Sequence, residues 1–405
     1  MEEKKLVPEI RFKGYDEEWN SLPFYKIVNR SSSISFDETV PSVEYEDILS
    51  GEGRLNKDIQ QKAIHKTGQR FSKGDILFGK LRPYLGNNLL ADFDGIAVGD
   101  FWIFKDGLAK TDFVYPFIYS QDFDFISNIS SGSKMPRSDW QLISTWNFNI
   151  PLNSDEQQKI GEYFKKLDGI IADTEKQIER LEKLKTASLQ KMFPQPGESV
   201  PQIRFKGFKG EWKRTTLKDM CSDFKYGMNV PASDFDGKRK YLRITDIDDS
   251  TREFSKENLT SPMVNEISQE YRLTVGDIVF ARTGASVGKT YLYTPEDEEV
   301  YWAGFLIRAK INENNDTNFI FQNTLTDTYK NFIEMTSQRS SQPGINAKEY
   351  GEFSFFVPNR DEQKAIGEYF RNLDNLIKKK KKKVTQLRNL KKASLSKMFV
   401  NTAKQ

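Results

Sequence analysis

The chain has 405 residues, 61 Lys and Arg against 58 Asp and Glu for a net charge of +3, and a mean hydropathy of −0.66. No apolar run nears the ~18 residues that span a bilayer, and the opening MEEKKLVPEI lacks a secretory signal pattern, so a cytoplasmic protein with no membrane partner is expected. One cysteine, Cys221, excludes an internal disulfide, and one histidine, His65, leaves no ligand set for zinc and little scope for imidazole catalysis.

The length suits two or three domains. In chain order, the first landmark is a short box, PEIRFKGYDEEW at 8–19, within an N-terminal segment 1–20. A first body, 21–150, reads as short strands and turns. KGDILFGKL at 73–81 is a Gly-Asp turn feeding a β-branched and aromatic strand. A long helix follows over 151–194, with apolar residues Ile160, Phe164, Leu167, Ile171, Ile178 and Leu181 at steps of three and four. Asn153 with Glu156 reads as a capping box at its start, and Pro194, Pro196 and Gly197 stop it.

The pattern then repeats. Segment 195–212 carries a second box, PQIRFKGFKGEW at 201–212, and a second body covers 213–357. A second long helix and tail occupy 358–405, with Ile366, Phe370, Leu373, Ile377, Val384 and Leu387 on its stripe and Asn359 with Glu362 at its start. The helix copies, 155–193 and 361–399, align without a gap and are identical at about half their positions. A repeat of this kind governs the fold and is the first thing to establish.

A helix of that length spans roughly 60 Å at 1.5 Å per residue. Its seam also contains Thr174 and Lys185, or Lys380 and Lys391 in the second copy. Neither helix would be stable alone, so the two copies should pack on each other. The expected fold is α+β: two β-rich bodies, each followed by a long helix, the helices pairing as an antiparallel coiled coil with pseudo-twofold symmetry. Phe12 with Trp19 and Phe205 with Trp212 should dock the boxes beside helix ends.

Candidate contact residues lie on turns after strands. Lys80, Arg82 and Tyr84 follow the first-body strand, and Arg282, Ser286 and Lys289 follow VGDIVFART at 275–283. Ser-rich loops bearing Lys134 and Arg137, and Arg339 and Gln342, occupy equivalent places ahead of each helix. Such donors, on loops held by a sheet, suit phosphate and base-edge contacts. GASVGKT at 284–290 imitates a phosphate loop but has one residue too few between its glycines and leads into a strand-like run. Six lysines at 378–383 cover the second helix all round and read as a solvated basic face. No methyltransferase motif, nuclease site or nucleophile elbow is present, so the chain should bind and not catalyse.

The duplicated DEQ-K-I-GEYF-LD and ASL-KMF helices, the PxIRFKG box before each body and GDI-F within each body together resemble the DNA specificity subunit of type I restriction-modification systems. The resemblance covers essentially the whole chain. It implies two target-recognition domains, each reading one half of an asymmetric bipartite target in double-stranded DNA and held apart by paired antiparallel helices. It also implies two modification (methyltransferase) subunits docked on the helices, where Lys185 and Lys391 are candidate contacts, and restriction (translocase/nuclease) subunits beyond them. S-adenosylmethionine, ATP and Mg would sit on those partners, with no cofactor or metal in this chain. The competing reading is a coiled-coil protein–protein adaptor without DNA binding.

Overall fold

In a computed structural model, residues 6–59, 66–129, 135–338 and 343–401 are described. They form two compact units, one running to Glu175 and resuming at Lys382, the other running from Lys176 to Lys381. Each unit is therefore not contiguous with one body and its own helix. It contains a body, the leading part of the helix after that body, and the closing part of the other helix.

The first unit's body is built on a four-stranded sheet ordered Asn29–Ser31, Phe101–Lys105, Ile76–Gly79, Asn88–Leu90. A second four-stranded sheet, with Gly68–Phe71 and Gly95–Ala97 at its centre, covers the first core from the other side of Leu77, Phe101 and Ile103. The second unit repeats the main sheet in the same order: Cys221–Tyr226, Leu306–Ile311, Asp277–Ala281, Thr290–Leu292. Alternation on Ile76–Gly79 and Asp277–Ala281 divides their side chains between two cores, so both strands are buried throughout. The Gly-Asp turn before each strand is closed by its aspartate: Asp75 accepts from Ser72 N at 2.8 Å and Asp277 from Thr274 N at 2.7 Å. In each body a strand entering from the box pairs antiparallel with the strand leaving for the helix, Asn20–Pro23 with Asn147–Ile150 and Lys213–Thr216 with Ser354–Val357.

The long helices run Ser154–Met192 and Arg360–Lys397. The stripe residues are buried except Leu181 and Leu387, which are partly covered. Within the first unit Tyr163 meets Ser394 (2.9 Å) and Asp168 meets Lys391 (2.6 Å). Within the second, Ser188 meets Tyr369 (2.9 Å) and Lys185 meets Asp374 (2.6 Å). Residue numbers rise on one helix as they fall on the other, so the pairing in each unit is antiparallel. Thr174, the other polar residue of the first seam, is buried and satisfies its hydroxyl on Ile170 O at 2.7 Å.

Asn153 accepts from Asp155 N and Glu156 N at 3.0 and 3.2 Å, and Asn359 from Glu362 N at 3.0 Å, so both asparagines cap as expected. The glutamates do not complete a capping box. Glu156 is gripped by Arg11 through Nε and Nη2 at 2.7 and 2.8 Å, and Glu362 by Arg204 at 2.8 and 2.7 Å. Both carboxylates are essentially fully buried, where a forked guanidinium satisfies the two oxygens better than one backbone N–H.

Next in the motif, Gln157 and Gln363 accept from Lys110 N (3.1 Å) and Asp316 N (3.2 Å), tying each body's helix, Thr111–Phe117 or Thr317–Asn323, to the long one. Gly161 and Gly367 permit that approach: a Cβ would stand 2.7 Å from Asp112 O or 2.0 Å from Asp316 Oδ1. The closing Phe of each KMF fills the body core. Phe399 lies against Trp19, Phe113, Phe117 and Phe164, and Phe193 against Trp212, Phe319 and Phe370. Each ring so buried contributes about 2–3 kcal/mol. The boxes dock through Phe12 on Tyr163 and Phe205 on Tyr369, both edge-on, with Trp19 and Trp212 buried.

Cys221 opens the second body's main sheet, packed on its core, and burial pushes its thiol up to about 12. At about pH 8 its thiolate fraction is then on the order of a thousandfold below that of a free cysteine. Iodoacetamide should label it only as the chain unfolds in urea; labelling of the native protein at the free-thiol rate would show that the thiol is not held in this environment.

Candidate nucleic-acid interface

In both units the strand exit and the Ser-rich loop come together. Past Ile76–Gly79, Arg82 N donates to Pro136 O (2.8 Å) and Ser138 N to Lys80 O (2.9 Å), joining 80–82 to 136–138. Past Asp277–Ala281, Gly284 N donates to Pro343 O (3.0 Å) and Ile345 N to Arg282 O (2.9 Å), joining 282–284 to 343–345. Separate stretches of sequence thus form one paired loop platform on each body. Lys134, Arg339 and Gln342 lie outside the described residues.

On the first platform Asp100 is the organising group. It takes Arg137 through Nε and Nη2 at 3.0 and 2.9 Å, with Lys80 Nζ at 3.4 Å. The Tyr45 hydroxyl supports both sides, donating to Asp100 O at 2.6 Å and accepting from Leu81 N at 3.0 Å. Burial raises this phenol above its usual range, so it stays protonated and can donate. Arg82 is exposed in a left-handed conformation (φ 50°) that turns the chain into Pro83–Leu85. Tyr84 on that turn is 60% exposed, an aromatic face held in solvent by the loop.

The second platform is built differently. Arg282 lies half-buried with its guanidinium over the Tyr226 ring, 5.1 Å from the centroid, an orienting contact. Phe305, whose carbonyl accepts from Arg282 N, is 59% exposed beside it. Ser286 closes the turn Gly284–Ser286, and Lys289 pairs with the exposed Asp249. The phosphate-loop look-alike uses its amides internally: Val287 N, Gly288 N and Lys289 N donate to Gly284 O, Ala281 O and Ser286 O. Gly288 N is also bonded to the buried Tyr350 hydroxyl at 3.1 Å. Those amides are already engaged, as the following strand Thr290–Leu292 already suggested.

Lys185 and Lys391, the candidate partner contacts, are engaged within the helix pair. Each is about four-fifths covered and paired at 2.6 Å, with Asp374 and Asp168 respectively. They are seam contacts of the helix pair and do not present free charges to a partner, because each reaches along the helix surface to an acid on the other helix. Part of the lysine run is likewise engaged: Lys378 with Glu253, Lys380 with Gln177, Lys381 with Glu182. Asp100, Tyr45, Tyr226 and Phe305 escaped the sequence reading. They come from other stretches of each body: Tyr226 from a strand, Tyr45 from the short helix Tyr45–Asp47, and Asp100 and Phe305 from turns. Among the described residues no group of three or more His, Cys, Asp or Glu could hold a metal ion, and no helix is long and apolar enough to cross a membrane.

Two unlike loop platforms on two copies of one scaffold define a two-module recognition protein. Comparison with known proteins gives its relatives. Residues 209–386 match the type I restriction modification DNA specificity domain. Over 339 residues the chain is 25% identical to the type I restriction enzyme MjaVIII specificity subunit of Methanocaldococcus jannaschii, covering 76% of each chain. The fold matches the S subunit of a type I restriction-modification system from M. genitalium, with a TM-score of 0.67 at 16% identity over 98% of this chain and 100% of that one. It also matches a chain from a structural study of type I complex assembly and conformational transition, TM-score 0.51 at 18% identity over 93% and 96%. The chain thus carries a match to the type I restriction modification DNA specificity domain over 209–386 and is similar to type I specificity subunits over most of its length. The adaptor reading without DNA binding is not favoured.

Proposed function

We propose that each unit reads one half of an asymmetric, bipartite DNA target through its loop platform, and that methyl transfer and cleavage are supplied by other chains. The observation that carries this reading is the pairing of strand exit and Ser-rich loop in both units on chemically different side chains. The first platform offers Lys80, Arg82, Tyr84 and Arg137; the second offers Arg282, Ser286 and Lys289. Arginine reaches guanine O6 and N7 with both arms, lysine and serine meet phosphate, and exposed rings pack on sugar and base edges. Different donor sets read different half-sites. The Asp100 carboxylate holds Lys80 and Arg137 until a phosphate competes for them, which disfavours indiscriminate binding.

The partners on this reading are two modification subunits bearing S-adenosylmethionine, and restriction subunits using ATP and Mg. Co-expression with the modification subunit, followed by genome-wide mapping of methylated adenine, should yield one gapped asymmetric motif. Replacing 21–150 with the first body of another family member should change one half of that motif only. Scattered methylation, or a change in both halves, would reject the modular reading.

A further inference from the structure

The two main sheets share one position that is equivalent in backbone geometry and opposite in chemistry. Phe101 pairs with Gly79, and Leu306 with Ala281, at the exit end of the central strands. The residue just before each, Asp100 or Phe305, accepts the first platform amide on its carbonyl, Lys80 N at 2.9 Å and Arg282 N at 3.0 Å. Both follow a glycine, Gly99 or Gly304. In the first unit the side chain at this position is the carboxylate that gathers Arg137 and Lys80. In the second it is a phenyl ring, 59% exposed.

Single exposed apolar side chains are ordinary, and exposure alone would carry nothing. The setting of this ring carries more. Phe305 lies outside both cores that flank the main sheet, while Ala303 and Leu306 on either side of its turn are buried. The turn is held through its backbone: Met228 N donates to Trp302 O at 2.9 Å and Gly227 N to Leu306 O at 3.0 Å. The two stretches run so close that a Cβ on Gly227 would stand 2.1 Å from Ala303 O. Such a ring is presented from fixed backbone, which lowers the ordering cost of binding. Beside it, Arg282 is oriented over Tyr226, whose hydroxyl accepts from Ala347 N at 3.1 Å. The second platform therefore offers a guanidinium and a phenyl ring from adjoining backbone.

An apolar ring has nothing to offer phosphate or the polar edges of bases. In the major groove the apolar group of a base pair is the C5 methyl of thymine. We propose that Phe305 is a specificity-determining residue of the second unit, packing on a thymine methyl next to the base pair that Arg282 reads. This rests on the reading of the loop platforms as DNA-recognition surfaces and names a base that the second one requires. With Asp100 at the equivalent position, the first unit makes no such contact there, so one scaffold carries two different requirements.

The test uses the full chain in complex with the modification subunit and a duplex carrying the mapped motif. The second unit's half is the one that survives exchange of 21–150. Each thymine is replaced in turn by deoxyuridine, which keeps the pairing and lacks the methyl. Fluorescence anisotropy should show one replacement in that half, adjacent to the position relaxed by Arg282→Ala, weakening binding about three- to tenfold. Phe305→Ala should weaken binding of the unmodified duplex by a similar factor and lose its sensitivity to that replacement. Phe305→Leu should keep part of it, and both variants should melt with the unaltered chain, since the ring is outside the core. A half-site with no methyl-sensitive thymine would overturn the proposal alone, even if Phe305→Ala weakens binding, because the ring would then act as a wedge between base steps. A Phe305→Ala variant that still discriminates thymine from uracil would do the same. An unaltered complex that prefers no duplex would overturn the DNA-recognition reading and the proposal with it.

Discussion

Replacing Arg11 by alanine should destabilise the first unit by about 3–5 kcal/mol, the cost of removing one member of a buried ion pair. The magnitude follows from what is left behind. Glu156 is 1% exposed, and without the guanidinium its carboxylate keeps the Trp19 Nε1–H at 3.3 Å as its side-chain partner. The same substitution also releases Glu17 O, to which Arg11 Nη1 donates at 2.6 Å and which fixes the turn of the box. Lysine should rescue only in part, since a point charge cannot span both oxygens. Arg204→Ala should cost at least as much in the second unit, because Glu362 is fully buried and the Trp212 indole N–H finds no partner. Removing both charges at once, Arg11→Met with Glu156→Leu, should be far milder. At about 2–4 °C per kcal/mol for units of this size, the single alanine variants should melt roughly 10 °C lower. A shift within about 2 °C would show that the box is not locked by this pair.

The second large effect concerns recognition. Arg82→Ala and Arg282→Ala should each weaken binding to the cognate DNA by about 1–3 kcal/mol, roughly 5- to 150-fold. The two need not behave alike. Arg282 is half-buried over Tyr226 and already oriented, the arrangement that suits a base edge. Its loss should relax one position of one half-site and leave the salt dependence nearly unchanged. Arg82 is exposed on a left-handed turn, and if it meets phosphate its loss weakens all sequences alike and lowers the salt slope by about one. Fluorescence anisotropy on cognate and scrambled duplexes at several salt concentrations separates the cases. Full affinity in both variants would remove these arginines from the interface.

Both predictions rest on residues with opposite legibility. Arg11 and Arg204 were visible as identical residues in the two boxes, and Glu156 and Glu362 as identical residues in the two helices. That they meet was not visible, since 145 or 158 residues separate the partners. On the platforms, Arg82 and Arg282 could be picked as donors on turns, but Asp100 and Tyr226 could not. Whether a cation is held, stacked or free depends on neighbours from distant stretches of the chain.

What the sequence determined by itself follows from periodicity and repetition. The three-and-four spacing specified two long helices, the asparagines their starts, and the duplication a chain built twice from one pattern. These are local properties, or comparisons of the chain with itself, and need no third dimension. The tertiary structure decided what each repeated residue is for. It showed that a seam lysine pairs with an acid across the helices because the antiparallel arrangement brings Asp168 to Lys391 and Asp374 to Lys185. It showed that the DEQ glutamate, which looks like half of a capping box, is taken by a distant arginine because burial favours the partner that satisfies both its oxygens. Long-range pairing of this kind depends on which surfaces meet on folding, and that is set by the whole packed unit and by no local stretch of sequence.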